Sequence, residues 1–382
     1  MSNNRRIVIG NVMVLAALVF LVIGLWNEYS WYEALAPLGT LVCAVVLTAS
    51  CICYVDIRGA LKDPVFWMMM VTDAIALINL FLVNSHYGAF LTVFDMLMIL
   101  YLACRFRMDR KTIFAVSIFM GFFFFYWTID VKGYFKGYNT NYGGMVLITG
   151  FVFFFIAFEM FRDYLRKRGH IKLAKWLVAW NVFMFAWGYN IISWYRARCA
   201  LLGLIVFLVL ILVPVTLWQK NWFYTLVVAG TTVGSVLISI LYILLGNIRD
   251  KFSVQIFYKD ILSGREEVWK ELWSAFLKTP ITGIGSAYKI KLEWMEGVFE
   301  VHNGLLDILI VHGVVVFIAL TMLLIKRLFD VRENALLCSS GRVALSGIFA
   351  LLTISFMENC FIVPPFSLCL LLLFSVANKA DV

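Results

Sequence analysis

The sequence predicts an all-α polytopic membrane protein: about 12 transmembrane helices with one long extracytoplasmic loop that contains an amphipathic helix. Three observations predict it. Hydrophobic residues make up 63% of the 382 and charged residues only 14%, with a mean hydropathy of +0.91. A soluble chain of this size has no interior large enough to hide so much apolar surface. Apolar stretches also recur at close to the roughly 20 residues that cross a bilayer's hydrocarbon core. Finally, a single polar stretch of about 55 residues, Asn247 to Val301, interrupts the series.

The expected spans lie near 7–26, 33–55, 65–83, 88–104, 111–129, 142–161, 173–192, 199–217, 222–246, 303–325, 343–360 and 363–377. Arg5-Arg6 precede the first, and no small-x-small cleavage site follows it, so it is expected to stay attached. Pro364-Pro365 separates the last two. The whole chain, 1–382, reads as one transmembrane domain, with 247–301 as the loop between the ninth and tenth spans.

Orientation follows from Lys and Arg in the short connections. With the amino terminus inside, the basic clusters Arg105 to Lys111, Arg162 to Lys175 and Lys326 to Arg332 all fall on the cytoplasmic side. Short outer connections hold only Lys132, Lys136, Arg196 and Arg198. Both termini are then expected in the cytoplasm and the long loop outside. That loop sets eight basic residues against eight acidic ones, unlike the face of a nucleic-acid-binding protein. The net charge of +9 therefore reflects topology. All eight cysteines lie in spans or at their edges, where cysteine is a small apolar filler, and no metal-ligand spacing occurs.

Within the loop, Ser263-Gly264-Arg265-Glu266 has the form of a capping box, with the serine as cap. The helix it opens carries Val268, Trp269, Leu272, Trp273, Phe276 and Leu277 as an apolar stripe, and Thr279-Pro280 stops it. Such a helix should lie on the membrane surface or on the ends of the spans. Arg265 falls in its first turn, where free backbone N–H groups and a guanidinium together suit phosphate oxygens. The plainer reading pairs Arg265 with a neighbouring glutamate. Arg196 and Arg198 stand in a short outer connection, where arginine is disfavoured; snorkelling to headgroups is the plainer explanation.

His302 closes the loop. Histidine can take up a proton near neutral pH, so it is a candidate base, against an ordinary hydrogen-bonded interface role. His312, inside the next span, is expected to make an interhelical hydrogen bond. Asp73 and Asp95 sit at similar depth in consecutive antiparallel spans, either as an ion path or as a structural pair; no intramembrane Lys or Arg accompanies them, which favours the structural role.

The order of these signals carries a resemblance. Asn139-Thr140-Asn141 precedes a span, and Arg198-Cys199-Ala200-Leu201-Leu202 starts another. Then come Ser263-Gly264-Arg265 with Trp269, Pro280 to Gly285, and His302-Asn303-Gly304 with Leu305, Leu306 and Gly313. Across roughly 139–325 the chain resembles the O-antigen ligase and O-antigen polymerase superfamily of bacterial envelope glycosyltransferases. The family's usual Ser-Arg pair reads Ala197-Arg198 here and its Asn-Pro-Asn reads Asn-Thr-Asn, which leaves the choice between Arg196 and Arg198 open.

The resemblance implies transfer of a glycan from undecaprenyl diphosphate to an acceptor sugar hydroxyl outside the cytoplasmic membrane, by an inverting, metal-independent reaction. It implies His302, Arg265 and Arg198 as catalytic residues, and Arg196, Asn139, Asn141, Asn303 and Gly264 as substrate-binding ones. No metal or cofactor is expected. The implied partners are the lipid-linked oligosaccharide donor, a glycan acceptor and membrane lipids, with envelope polysaccharide assembly proteins as further candidates. Polymerase is slightly favoured over ligase. The rival class is a multi-pass transporter or flippase of polysaccharide precursors, against which stand the long loop and the absence of an internal duplication. Trp269, Trp273, Trp294 and Tyr288 have two readings, stacking on sugar rings or anchoring at the membrane interface.

Overall fold

A computed structural model describes residues 3–24, 38–130, 140–248, 255–256, 259–260, 262, 264–292, 295–298 and 301–378. The molecule is a helical bundle: α1 (Asn3–Gly24), α2 (Gly39–Tyr54), α3 (Pro64–Leu82), α4 (Tyr87–Leu102), α5 (Arg110–Asp130), α6 (Thr140–Lys167), α7 (Ile171–Tyr195), α8 (Arg198–Leu212) and α9 (Asn221–Gly246). After the loop helix α10 (Arg265–Phe276) follow α11 (Gly304–Leu336), α12 (Ser339–Ile354) and α13 (Pro364–Ala377). Each of the twelve expected spans thus has a helix. Five helices among the described residues are both long and apolar enough to cross a membrane, and five shorter apolar ones accompany them.

Burial divides the bundle. Helices α6, α12 and α13 form its centre: Ile348, Phe349, Leu370 and Leu373 are sealed from solvent, as is Phe151. Outer helices present apolar side chains outward, among them Phe81, Trp176, Leu212 and Leu226. A water-soluble surface would not carry such a belt; a bilayer covers it. Close approach is achieved by small residues. A Cβ on Gly144 of α6 would lie 2.5 Å from the Ala200 Cβ and 2.7 Å from that of Ala197. This contact, one turn below Asn141 and Arg198, also explains why a residue as small as Ala197 precedes Arg198.

The two ends of the bundle have different chemistry. At one end Arg105 pairs with Asp63, Arg332 donates to the Trp218 carbonyl at 2.9 Å, and Ser339 donates to Asp163 at 2.8 Å. The other end carries the 247–301 loop.

That loop also carries extended chain beside its helix. Two short antiparallel ribbons occur, β1 (Gln255–Ile256) with β2 (Lys259–Asp260), and β3 (Lys289–Leu292) with β4 (Met295–Val298). The Lys-Ile-Lys-Leu alternation of β3 buries Ile290 and leaves Lys289 and Lys291 exposed, a period of two rather than 3.6. Helix α10 starts after Gly264 in the left-handed region (φ 85°), with no side-chain cap among the described residues; Ser263 lies outside them. Its buried stripe is Val268, Trp269, Leu272, Ala275 and Phe276, whereas Leu277 is exposed. This stripe seats on α9 and α11, so the helix lies on the ends of the spans. Trp269 is completely buried, with its ring 5.2 Å from that of Tyr242, which removes it from sugar stacking. Trp294 lies outside the described residues.

Beyond α10, the segment Pro280–Gly285 is built into a break in α11. Gly313 (φ 85°) interrupts that helix, and Val314 donates its N–H to the Pro280 carbonyl at 2.9 Å. Ile284 and Gly285 donate to the Ile310 and Val311 carbonyls at 2.9 and 3.2 Å. The loop thereby satisfies backbone groups that the break frees, as a membrane environment demands. His312 takes part in an interhelical hydrogen bond through its carbonyl, which accepts from the Asn79 side chain at 3.0 Å. Asp73 and Asp95 face one another across α3 and α4, with the Cys43 thiol beside Asp95.

Candidate functional site

The last turn before α11 fixes His302. Val301 accepts a hydrogen bond from the Trp269 indole at 2.8 Å, which ties the chain to α10. His302 then takes a left-handed backbone conformation (φ 52°), one that few non-glycine residues adopt. Asn303 caps α11: its side-chain oxygen accepts from the Leu306 N–H at 3.1 Å and from the Ser235 hydroxyl at 2.6 Å. Its amide nitrogen donates to the Ser235 carbonyl at 2.7 Å, and Gly304 donates to the Ser355 carbonyl at 3.0 Å. The imidazole is therefore held between α9, α10, α11 and the chain leaving α12.

That exit carries a residue the sequence analysis did not single out. Glu358 is buried, with one oxygen 3.2 Å from Arg265 Nη2 and accepting from Asn141 Nδ2 at 2.8 Å. Its other oxygen lies 3.4 Å from His302 Nδ1. One carboxylate thus gathers three of the expected residues. Its sequence signal was its position, a single acid near the end of an apolar stretch, where an ionisable group is costly.

Arg265 also donates to the Met357 carbonyl at 3.1 Å, and its buried Nε has no acceptor among the described residues. Arg198, half-buried, donates through Nη1 to the carbonyl of Asp260. Burial, and then the adjacent Arg265 guanidinium, lower its pKa below the usual arginine value, although a guanidinium remains cationic at any working pH. The phenol of Tyr242 lies within electrostatic reach of both arginines. Arg265 and the His302 imidazole therefore meet at the Glu358 carboxylate, with the Arg198 guanidinium beside Arg265.

The other expected residues stand as follows. Arg196 is exposed, in the left-handed position that ends α7, while Arg198 joins Arg265. Gly264 adjoins Arg265 as the helix cap. Asn303 is fully buried, with its amide engaged by Ser235 and Leu306. Asn139 lies outside the described residues. The first turn of α10 holds Glu266 and Glu267, so its N-terminal dipole already faces acids; the guanidinium, not the helix end, is the cationic feature here.

No curated protein and no solved structure matches the chain. A family model does: residues 178–321, from within α7 to within α11, match the one described as O-antigen ligase. That stretch, somewhat over a third of the chain, contains Arg198, Arg265 and His302, and the match supports the chain's resemblance to the O-antigen ligase and polymerase superfamily, a glycosyltransferase-type enzyme family.

Proposed function

We propose that this protein transfers a glycan from undecaprenyl diphosphate to an acceptor sugar hydroxyl at the outer face of the bacterial cytoplasmic membrane. The observation that carries the reading is the pairing of Arg198 and Arg265 beside a His302–Glu358 contact, on a bundle whose apolar belt lets a lipid carrier approach sideways. The diphosphate takes its place against the two guanidiniums, one of which holds an N–H without an acceptor. The acceptor oxygen attacks the anomeric carbon from the opposite face, and the bond from that carbon to the phosphate oxygen breaks. Undecaprenyl diphosphate departs with the electron pair, its charge stabilised by the arginines. The acceptor's proton passes to His302, and Glu358 orients the imidazole and stabilises its cation, as a carboxylate does beside a catalytic histidine. Asn141 steadies Glu358, and Asn303 positions His302 from within the fold. Attack from the far side inverts the anomeric configuration.

His302→Ala should abolish transfer in proteoliposomes supplied with lipid-linked glycan, while the melting temperature stays close to that of the parent. Arg265→Lys should lose most activity, because a point charge cannot reproduce the guanidinium's two-pronged grip. A fully active His302→Ala variant removes the base from this mechanism. Extension of lipid-linked repeat units supplied alone, without another acceptor, would mark a polymerase, the form we favour, rather than a ligase.

A further inference from the structure

A pocket of about 400 Å³ lies beside this cluster, between α4, α10, the 284–288 segment and the first turns of α11. Ser286, Tyr288, Asp307 and Asn359 supply its polar lining; the rest is apolar or backbone. Two of its residues, Val301 and Asn359, are chain neighbours of His302 and Glu358, so the pocket and the cluster share a wall. Neither Arg198 nor Arg265 lines it.

The chemistry of this lining differs from that of the arginine side. Among the described residues it offers a carboxylate, an amide, hydroxyls and an aromatic ring, but no cation. A phosphate would be repelled by Asp307. A neutral sugar ring fits, because its hydroxyls can donate to Asp307 and Asn359 and its C–H face can lie against Tyr288. Asn359 lines the pocket, and its buried Oδ1 has no donor among the described residues, so it is an acceptor that a sugar hydroxyl can satisfy. Tyr288 is held in place by donating its O–H to Glu271 at 3.2 Å.

We infer that this pocket is the acceptor subsite, seating the terminal neutral pyranose of the acceptor glycan so that its nucleophilic hydroxyl reaches toward His302. The inference rests on the transfer reaction proposed above and adds the place and the chemical class of the acceptor. Opposite charge on the two sides of His302 sorts the substrates: the diphosphate is drawn to the guanidiniums and kept out of the acidic pocket.

The test uses saccharides released by mild acid from the host's own lipid-linked glycan, so that no diphosphate is present. In saturation-transfer NMR these should bind the wild-type protein and His302→Ala equally, and Asn359→Ala should lose the signal. In the transfer assay with the same saccharides as acceptor, Asn359→Ala and Asp307→Asn should raise the acceptor KM about tenfold, the effect of one net hydrogen bond. The donor KM and kcat should stay within about twofold. Tyr288→Phe should retain binding, whereas Tyr288→Ala should lose it, separating the ring face from the hydroxyl. Unchanged saccharide binding in Asn359→Ala, no binding by the wild type, or a rise in the donor KM instead would overturn the assignment. Should His302→Ala remain active, the catalytic reading fails while the NMR arm still decides the pocket.

Discussion

Glu358 shows how much of the site depends on one side chain. It is the sole acid between Glu333 and Asp381, and it reaches Arg265, Asn141 and His302 together. Removing its charge while keeping its shape, as in Glu358→Gln, leaves Arg265 without the carboxylate it pairs with. The vacated guanidinium should then hold a diphosphate at least as well as before, so the donor KM should not rise. The imidazole loses the group that stabilises its cation, and kcat should fall by at least about 100-fold. A kcat at the wild-type level would show that the carboxylate serves only the fold. The sequence marks Arg198 and His302 by their placement at outer ends of spans, and Arg265 by its place in the first turn of the loop helix. It does not mark Glu358, because a lone acid in an apolar stretch does not announce its partners. Asn141 is 217 positions away, and only the packing of α6 against α8 and α12 brings them together.

At the scale of elements, periodicity was a good guide wherever a helix has one apolar face or is apolar all round. The twelve expected stretches each carry a helix, and the stripe on α10 is buried at Val268, Trp269, Leu272 and Phe276. What periodicity does not encode is one backbone crossing another. Pro280–Gly285 reads from sequence as a turn that ends a helix; in the structure it completes α11. The crossing is tight enough that only glycine fits. A Cβ on Gly313 would lie 2.0 Å from the Ile281 carbonyl oxygen, and one on Gly283 would lie 2.4 Å from that of Val311. Both residues also hold positive φ, 85° and 74°, where a side chain adds strain of about 1–3 kcal/mol. Gly313→Ala should therefore lower stability by about 2 kcal/mol or more and release the loop that seats α10. Limited proteolysis should cut between 277 and 300 faster than in the parent, with transfer lost alongside. Unchanged cleavage and melting would mean that the crossing bears no stress.

Across the whole molecule, the polar contacts separate into two sets. Asn141–Glu358, Arg265–Glu358 and Ser85–Ser286 gather at the end that holds the loop. Arg105–Asp63, Arg332 with Trp218, Ser339–Asp163 and Asn378 with Cys104 gather at the other. Such a division is what alternation of the twelve expected spans requires. The basic clusters Arg105–Lys111, Arg162–Lys175 and Lys326–Arg332 then share one end, the one expected from sequence to face the cytoplasm. Orientation is therefore testable without any activity. None of the eight native cysteines lies in the 247–301 loop, so a single cysteine introduced there can be read against the parent's own labelling. Lys289→Cys, on the exposed face of β3, should react with a membrane-impermeant maleimide in intact cells. Leu337→Cys, exposed at the opposite end between α11 and α12, should react only after the membrane is permeabilised. The reverse pattern would turn the arginine cluster toward the cytoplasm, where a carrier displayed on the outer leaflet could not meet it.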